Sequence, residues 1–292
     1  MQLRPEQLAA LVAIVDEGSF DAAARHLSVT PSAVSQRIRA LESQVGQVLL
    51  LRTTPSRVTE AGAAVLRTAR QQQLLERELR SELSATGGSG AAPLAVAVNA
   101  DSLATWFVRV VAQCASWPDV SLQLHVEDQA HSATLLRTGT VLGAVTSEPV
   151  AVQGCSVERL GTMRYVPVAS PELAARWARG RTVDWAGMPV VRFNAKDDLQ
   201  HRVLTARGVT SPPPTHVVPS SEGFLAAVRA GLGWGVLPEE QLGEDVQSGR
   251  LVRLPGRDRI DVPLYWQRWR LQSARIDRVT AAVRAAATSL HR

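Results

Sequence analysis

His125, Glu127, Asp128 and His131 bring four side chains of metal-ligand type close together in the 292-residue sequence. Its spacing matches no metal-binding motif, and His125 and Glu127 merely share one face of a strand. The group reads as surface or core residues, and no metal is expected. Gly231, Gly233 and Gly235, in GLGWGV, suggest a dinucleotide loop. The fingerprint spacing and the strand-to-helix context are missing, so a turn or tight packing explains them better. No serine nucleophile elbow, phosphate-binding loop or Cys–His arrangement occurs. The two cysteines, Cys114 and Cys155, read as buried inert thiols of a reducing compartment. The seven tryptophans read as core or interface residues. Neither an enzyme nor a cofactor is expected.

A different chemistry stands near the N-terminus. After Thr30 and Pro31, the side chains of Val34, Ile38, Leu41 and Val45 recur at helical spacing and form one apolar stripe. Thr30 suits an N-cap and Pro31 the first helical position. Ser32, Ser35, Gln36 and Arg39 fall on the opposite face. That short, donor-rich face suits base edges in a DNA major groove. A preceding helix over residues 20–27 carries Ala22, Ala23 and Ala24, which permit close packing, and only a tight turn separates the two. Such a pair makes a helix-turn-helix; the other reading is an ordinary helical hairpin in a core. Charge favours the first. From Arg25 to Arg70, seven arginines (25, 37, 39, 52, 57, 67, 70) oppose Glu42 and Glu60, an excess of 7 − 2 = +5 beside the proposed reading helix.

The elements that must position these groups follow from periodicity. A first helix over residues 5–17 would roof the motif and stop at Gly18. Residues 48–53 and 57–59 are short strand candidates for a wing, from which Arg52 and Arg57 would touch phosphates; the alternative is a plain surface loop. Residues 59–85 form one helix of about 40 Å. Its narrow apolar seam (Val65, Leu66, Ala69, Gln73, Leu79, Leu83) reads as a dimer seam or, alternatively, a solvated linker. A dimer would set two reading heads about one DNA turn apart. Thr86, Gly87, Gly88, Ser89 and Gly90 form a joint.

Beyond Pro93 strands and helices alternate, which implies a mostly parallel sheet with helices on its faces. Strands are expected at 94–98, 121–128, 141–146, 165–169, 189–193, 215–219, 235–237, 251–254 and 262–266. Helices are expected at 102–116, 132–138, 221–230 and 273–290. Two such sheet units commonly hold a ligand in the cleft between them. No stretch approaches the roughly 20 apolar residues of a membrane span, and no signal segment precedes the first helix. A cytoplasmic protein without a membrane partner is expected.

With these residues in view, the chain resembles LysR-type transcriptional regulators over its whole length. AAARHLSVTPSAVSQRIRALE is the most specific stretch. The wing departs slightly, because Leu49, Leu50, Leu51 and Arg52 stand where many members have a Phe at the second position. The effector half is similar to the lysine- and arginine-responsive branch of the ArgP and LysG kind. NADSLATWF, VEDQAHSATLLRTGTVLGAVTSEP, PSSEGFLAAV and LYWQRW carry that likeness. The expected fold is α/β: an N-terminal winged helix-turn-helix (1–58), a long dimerisation helix (59–86), a hinge (87–92) and a two-subdomain, periplasmic-binding-protein-like effector domain (93–292). Subdomain I would take about 93–163 and 267–292, and subdomain II about 164–266. The resemblance implies activation of a basic amino-acid export gene, lysine or arginine as effector, a homodimer or dimer of dimers, and contact with RNA polymerase. A regulator for a different metabolite is the nearest alternative. A small-molecule-binding protein or enzyme with an associating helical N-terminus is the alternative from another class.

For double-stranded DNA the expected contacts are Thr30, Pro31, Ser32, Ser35, Gln36 and Arg39, with Arg52 and Arg57 from the wing. Arg37 lies off the polar face and reads as a phosphate or packing residue. For the effector they are Asp101, Ser102, Glu127, Thr146, Asn194, Ser220 and Glu222, with Asp128 and Ser221 beside them. Acidic Asp101, Glu127 or Glu222 would select a cationic side chain by charge, and helix starts would hold the α-carboxylate. The competing reading is that Asp101, Ser102 and the serines at 220 and 221 are only helix caps.

Overall fold

The computed structural model describes residues 3–51, 53–83, 91–127, 129–256 and 259–292, with only the backbone course at 81, 82, 129 and 130. The expected joint at residues 86–90 lies outside the described residues. Helix α1 (Pro5–Glu17) starts on a proline and stops at Gly18, whose φ of +77° suits glycine. Helix α2 (Phe20–His26) is capped by Ser19, whose Oγ accepts from the Ala22 N–H. Helix α3 (Pro31–Val45) is capped by Thr30, whose Oγ1 accepts from the Ala33 N–H, and ends at Gly46 with φ +76°. Leu8, Leu11, Ile14, Ala23, Ala24, Val34, Ile38 and Leu41 share one core.

Strands β1 (Leu50–Leu51) and β2 (Arg57–Val58) pair antiparallel, with Leu51 opposite Arg57. Both are shorter than the sequence suggests. The polar groups between them bond elsewhere: Thr53 Oγ1 to the Pro55 carbonyl at 2.7 Å, and the Ser56 N–H to Gly18 at 2.9 Å. Glu42 on α3 accepts the Leu49 N–H at 2.8 Å and so anchors the wing to the helix beside it.

Helix α4 (Glu60–Leu83) follows. Its expected single seam divides. Leu66 and Ala69 are buried in the N-terminal core, while Leu79 and Leu83 are 54% and 75% exposed. Leu74, one residue past the expected Gln73, enters the core of the C-terminal half. This helix therefore belongs to both cores.

That half opens with β3 (Ala92–Val98), α5 (Ala100–Ala104), α6 (Val108–Cys114), β4 (Val120–Val126), α7 (Gln129–Thr138) and β5 (Gly143–Thr146). Next come β6 (Cys155–Ala169), α8 (Pro171–Arg176), β7 (Ala178–Arg179), β8 (Thr182–Val183), β9 (Val190–Arg192), α9 (Leu199–Ala206) and β10 (Thr215–Val217). It closes with α10 (Ser221–Arg229), β11 (Gly235–Pro238), α11 (Gly243–Gln247), β12 (Val252–Arg253), β13 (Ile260–Trp269) and α12 (Ala274–Ala286). Strand β3 lies between β4 and β5, all parallel. Strand β13 runs antiparallel to β5 and to β6, and β6 also pairs antiparallel with β11 and β12. The parallel pair β9–β10 is tied to the approach to β11 by a Val190–Trp234 bridge.

Three expectations are corrected here. The sheet expected to be mostly parallel is mixed, because β6 and β13 run antiparallel to each other and to their neighbours. The expected helix at 102–116 is two helices. Trp106 and Phe107 are both fully buried, in an edge-on pair with centroids 5.4 Å apart, and successive positions on a straight helix point about 100° apart. A break at Thr105, with φ −121° and ψ −107°, turns both rings inward. The strands expected at 165–169 and 262–266 are the ends of much longer ones, 15 and 10 residues. Their charged positions hid them. Those charges are paired at the surface: Glu158 with Arg284 at 2.7 Å and Arg164 with Asp261 at 2.8 Å. Helices α8, α9 and α11 and the β7–β8 hairpin had no expectation in the sequence.

Both cysteines are buried and free. Burial pushes the Cys155 thiol up to about 11, which keeps it protonated and unreactive. No described helix is long and apolar enough to cross a membrane.

The joint between α4 and the wing admits no side chain, since a Cβ on Gly62 would overlap the Leu49 carbonyl oxygen. Gly62→Ala should therefore cost about 1–3 kcal/mol through overpacking. Thermal denaturation should show the first unfolding transition a few degrees lower; an unchanged midpoint would mean the wing yields freely.

Candidate nucleic-acid interface and ligand cleft

Burying one stripe of α3 sends the other outward. Val34, Ile38 and Leu41 are at most 2% exposed, whereas Thr30, Pro31, Ser32, Gln36 and Arg39 are exposed and Ser35 is half-buried. Thr30 Oγ1 and Ser32 Oγ lie 2.9 Å apart and order the start of the helix. Arg57 is exposed on β2, and Arg37 is half-buried beside the polar face. Arg52 lies outside the described residues. The arrangement offers hydroxyl, amide and guanidinium groups on the exposed face of α3, which fits a duplex groove flanked by phosphates.

In the C-terminal half, parallel pairing brings the ends of β3, β4 and β5 to one sheet edge, so Asp101, Ser102, Glu127 and Thr146 stand along it. Ligands of open α/β sheets bind outside such carboxyl ends. The parallel pair β9–β10 does the same for Asn194 and Ser220. The two edges meet at Asp101. Tyr165 on β6 donates its hydroxyl to Oδ2 at 3.0 Å, and Ser221, opening α10, donates to Oδ1 at 2.9 Å. Burial raises the Asp101 carboxyl above the usual carboxylate range; these two hydrogen bonds pull it down, and the nearby Asp197 charge pushes it up. Burial and the same two carboxylates hold the Tyr165 phenol well above its usual value.

The other expected residues have distinct roles. Asn99 caps α5 through the Ser102 N–H, so neither Asp101 nor Ser102 is the cap there. Ser102 is fully buried, and its Oγ meets no protein partner among the described residues. Thr146 is buried and donates to the Glu148 carbonyl at 3.3 Å. Asn194 accepts from the N–H groups of Lys196 and Asp197, folding its own loop. Ser220 caps α10 through the Gly223 N–H, while Glu222 points outward from the first turn. Glu127 is half-buried at the end of β4, and Asp128 lies outside the described residues. Among the described residues, no three His, Cys, Asp or Glu side chains gather as a metal site.

Sequence reasoning missed Tyr165 and Asp197. Tyr165 reaches the cleft only through the register of β6. Asp197 is oriented by the Phe193 N–H at 2.9 Å and the Leu199 N–H at 3.2 Å, a loop geometry with no periodic signal.

Residues 5–63 match the family profile described as bacterial regulatory helix-turn-helix protein, lysR family, and residues 87–288 match the LysR substrate binding domain. The chain is 51% identical over 283 residues to the lysine export transcriptional regulatory protein LysG of Corynebacterium efficiens, covering 96% of this chain and 97% of that one. Among solved structures it is similar to ArgP from Mycobacterium tuberculosis, with a TM-score of 0.89, 49% identity and coverage of 100% and 99%. It is also similar to full-length LysG from Corynebacterium glutamicum with bound effector Arg, with a TM-score of 0.85, 48% identity and coverage of 99% and 100%.

Because folding raises the Asp101 pKa, ionising this carboxyl costs stability. The cost is absent below the unfolded carboxylate pKa of about 4 and grows as pH rises towards the folded value. Asp101→Asn removes it. The thermal midpoint of the variant relative to the parent should therefore increase from about pH 4 to pH 7. A constant or shrinking gap in melting curves would show that this carboxyl is not destabilised by burial.

Proposed function

The chain belongs to the LysR family of transcriptional regulators, and we propose that it is an effector-responsive activator of a basic amino-acid exporter, with lysine or arginine as the signal. The observation that carries the reading is the Asp101 carboxylate, buried where the two strand edges meet, hydrogen-bonded to Tyr165 and Ser221, and within reach of the Asp197 charge. A neutral ligand would leave that negative field unanswered. A guanidinium or ammonium group answers it with charge-assisted hydrogen bonds. The Ser102 hydroxyl and the N–H groups of the first turn of α10 then suit the α-carboxylate. The bound arginine of the C. glutamicum relative supports the same class of ligand.

On the DNA side, α3 enters the major groove through Ser32, Ser35, Gln36 and Arg39, with Thr30 and Pro31 setting its start and the wing at Arg52 and Arg57 on phosphates. The exposed Leu75, Leu79 and Leu83 of α4 support a homodimer, or a dimer of dimers, that spaces two reading heads. In this reading the protein works in the cytoplasm, beside RNA polymerase, and performs no chemical step of its own.

Calorimetry with lysine, arginine and leucine tests the effector. The two basic amino acids should bind and leucine should not, and Asp101→Asn should weaken binding about tenfold or more. Equal heats for all three would reject selection by charge. On DNA, Gln36→Ala should weaken binding to the operator by about 1–3 kcal/mol and leave random duplex nearly unchanged. Equal losses on both would reduce Gln36 to a positioning contact. Affinity for either duplex should fall as salt rises.

A further inference from the structure

An unbroken set of contacts runs from the cleft to the DNA-reading head, and beyond its first residue it passes through groups that neither site uses. It starts at Thr146, the last residue of β5. The hydroxyl proton of Thr146 goes to the Glu148 carbonyl, and its oxygen accepts from Gln267 Nε2 at 3.4 Å. The two protons of the same Nε2 are shared with the carbonyls of Glu148 at 3.2 Å and Val150 at 3.0 Å, while Gln267 Oε1 accepts the Val152 N–H at 2.9 Å. Gln267 is 1% exposed, so one buried amide organises the whole turn from β5 into β6.

The far end of that turn touches α4. Arg67 donates to the Gln153 carbonyl at 3.0 Å, and its guanidinium lies over Gly154, where a Cβ would sit 3.6 Å from Cζ. One turn along α4, Arg70 donates to the Thr138 carbonyl at 3.1 Å and to Thr140 Oγ1 at 2.7 Å. The same guanidinium pairs with Asp16 on α1. Gly139, between these threonines, has φ +75°, and a Cβ there would lie 3.1 Å from the Arg67 Cα. Helix α4 thus sits on the effector domain nearly backbone to backbone. Arg70 joins three bodies: the DNA-binding head through Asp16, the long helix, and the turn after α7.

We propose that the turn at residues 147–154 is the coupling element of this regulator, held by Gln267 on the cleft side and by Arg67 of α4 on the side of the DNA-reading head, with Arg70 tying the same helix to the 138–140 turn and to Asp16 of α1. The proposal rests on the reading that Thr146 lines the effector cleft. A hydroxyl has one proton. A ligand carboxylate that accepts it takes it from the Glu148 carbonyl, and the turn must then rearrange around Gln267. Because Arg67 grips the turn by a backbone carbonyl, it responds to where the turn lies and not to which side chains it carries. Arg70 passes the adjustment to α1, which packs directly on α2 and α3. Lysine could not replace Arg70, since a single ammonium lacks the planar fork that reaches Asp16 and the 138–140 turn together.

The test compares the parent protein with R67A/R70A, which leaves α3 and the cleft residues intact. Operator affinity is measured with and without saturating arginine, and arginine affinity separately by calorimetry. Coupling of this kind is typically about 5- to 150-fold. In the double variant the arginine-dependent change in operator affinity should fall at least threefold towards unity, while arginine still binds and the salt slope on random duplex is unchanged. A parent response that survives intact in the variant overturns the coupling role alone. A parent that shows no arginine response at all overturns the effector reading and the coupling with it. Hydrogen–deuterium exchange on the unmutated protein gives an independent readout, free of any folding defect in the variant. Arginine should alter exchange both at residues 147–154 and on α4 around Arg67 and Arg70. A change confined to the cleft overturns the proposal.

Discussion

The ladder between β6 and β13 sets the geometry on which both halves of the effector domain depend. Its register runs from Ile260–Tyr165 at one end to Trp269–Cys155 at the other. Because each strand is continuous from one half to the other, side chains on them have fixed places in both. Tyr165 meets Asp101 at the cleft, and Gln267 holds the turn after β5. Trp266 and Trp269 anchor the same ladder to its flanking helices, the first through Thr280 at 3.1 Å and the second through the Leu136 carbonyl at 3.3 Å. Gly143 leaves the space that the Trp266 indole fills. A cleft residue and a coupling residue are thus held by one rigid element, which lets a small displacement at one end be felt at the other.

The DNA-binding head is built on a different principle. Its core is small, and its polar surface is defined by what the core leaves out. Each of its first three helices is begun by a proline or a capping hydroxyl, and two are ended by glycines in the left-handed region. The head keeps its shape through these local signals and through Glu42, which ties the wing to α3. Its position relative to the rest of the chain depends instead on long-range contacts from arginine side chains on α4. Local rigidity and long-range adjustability suit a reading head whose orientation, not whose surface, answers to a distant ligand.

Asp101 combines the two themes. Its carboxylate is stabilised by a phenol from the ladder and a hydroxyl from α10, and destabilised by burial and by Asp197. A group held in such a balance binds a cation readily, because the cation removes the repulsion and keeps the hydrogen bonds. Asp245 is different: burial pushes its carboxyl up, but Arg229 and Arg250 on either side outweigh that and hold it below the usual carboxylate range. Under the proposed function, the contrast separates a carboxylate kept for a ligand from one kept for the fold.

By itself the sequence determined the three-helix head, the polar face of α3 and the alternation of strands and helices, because caps, prolines, glycines and a regular apolar stripe are local and act within a few residues. It also marked the edge positions Asp101, Ser102 and Thr146, since these follow directly on strand runs that any reader of periodicity finds. Tertiary structure alone decided which of Ser220, Ser221 and Glu222 faces Asp101, that Tyr165 and Asp197 stand beside it, and that α4 is shared between two cores. It also decided the full length of β6 and β13, whose charged residues mask them until cross-strand partners are in place. The reason is the same throughout. These features depend on strand register and on contacts between residues far apart in the chain, and neither leaves a mark on the spacing of neighbours.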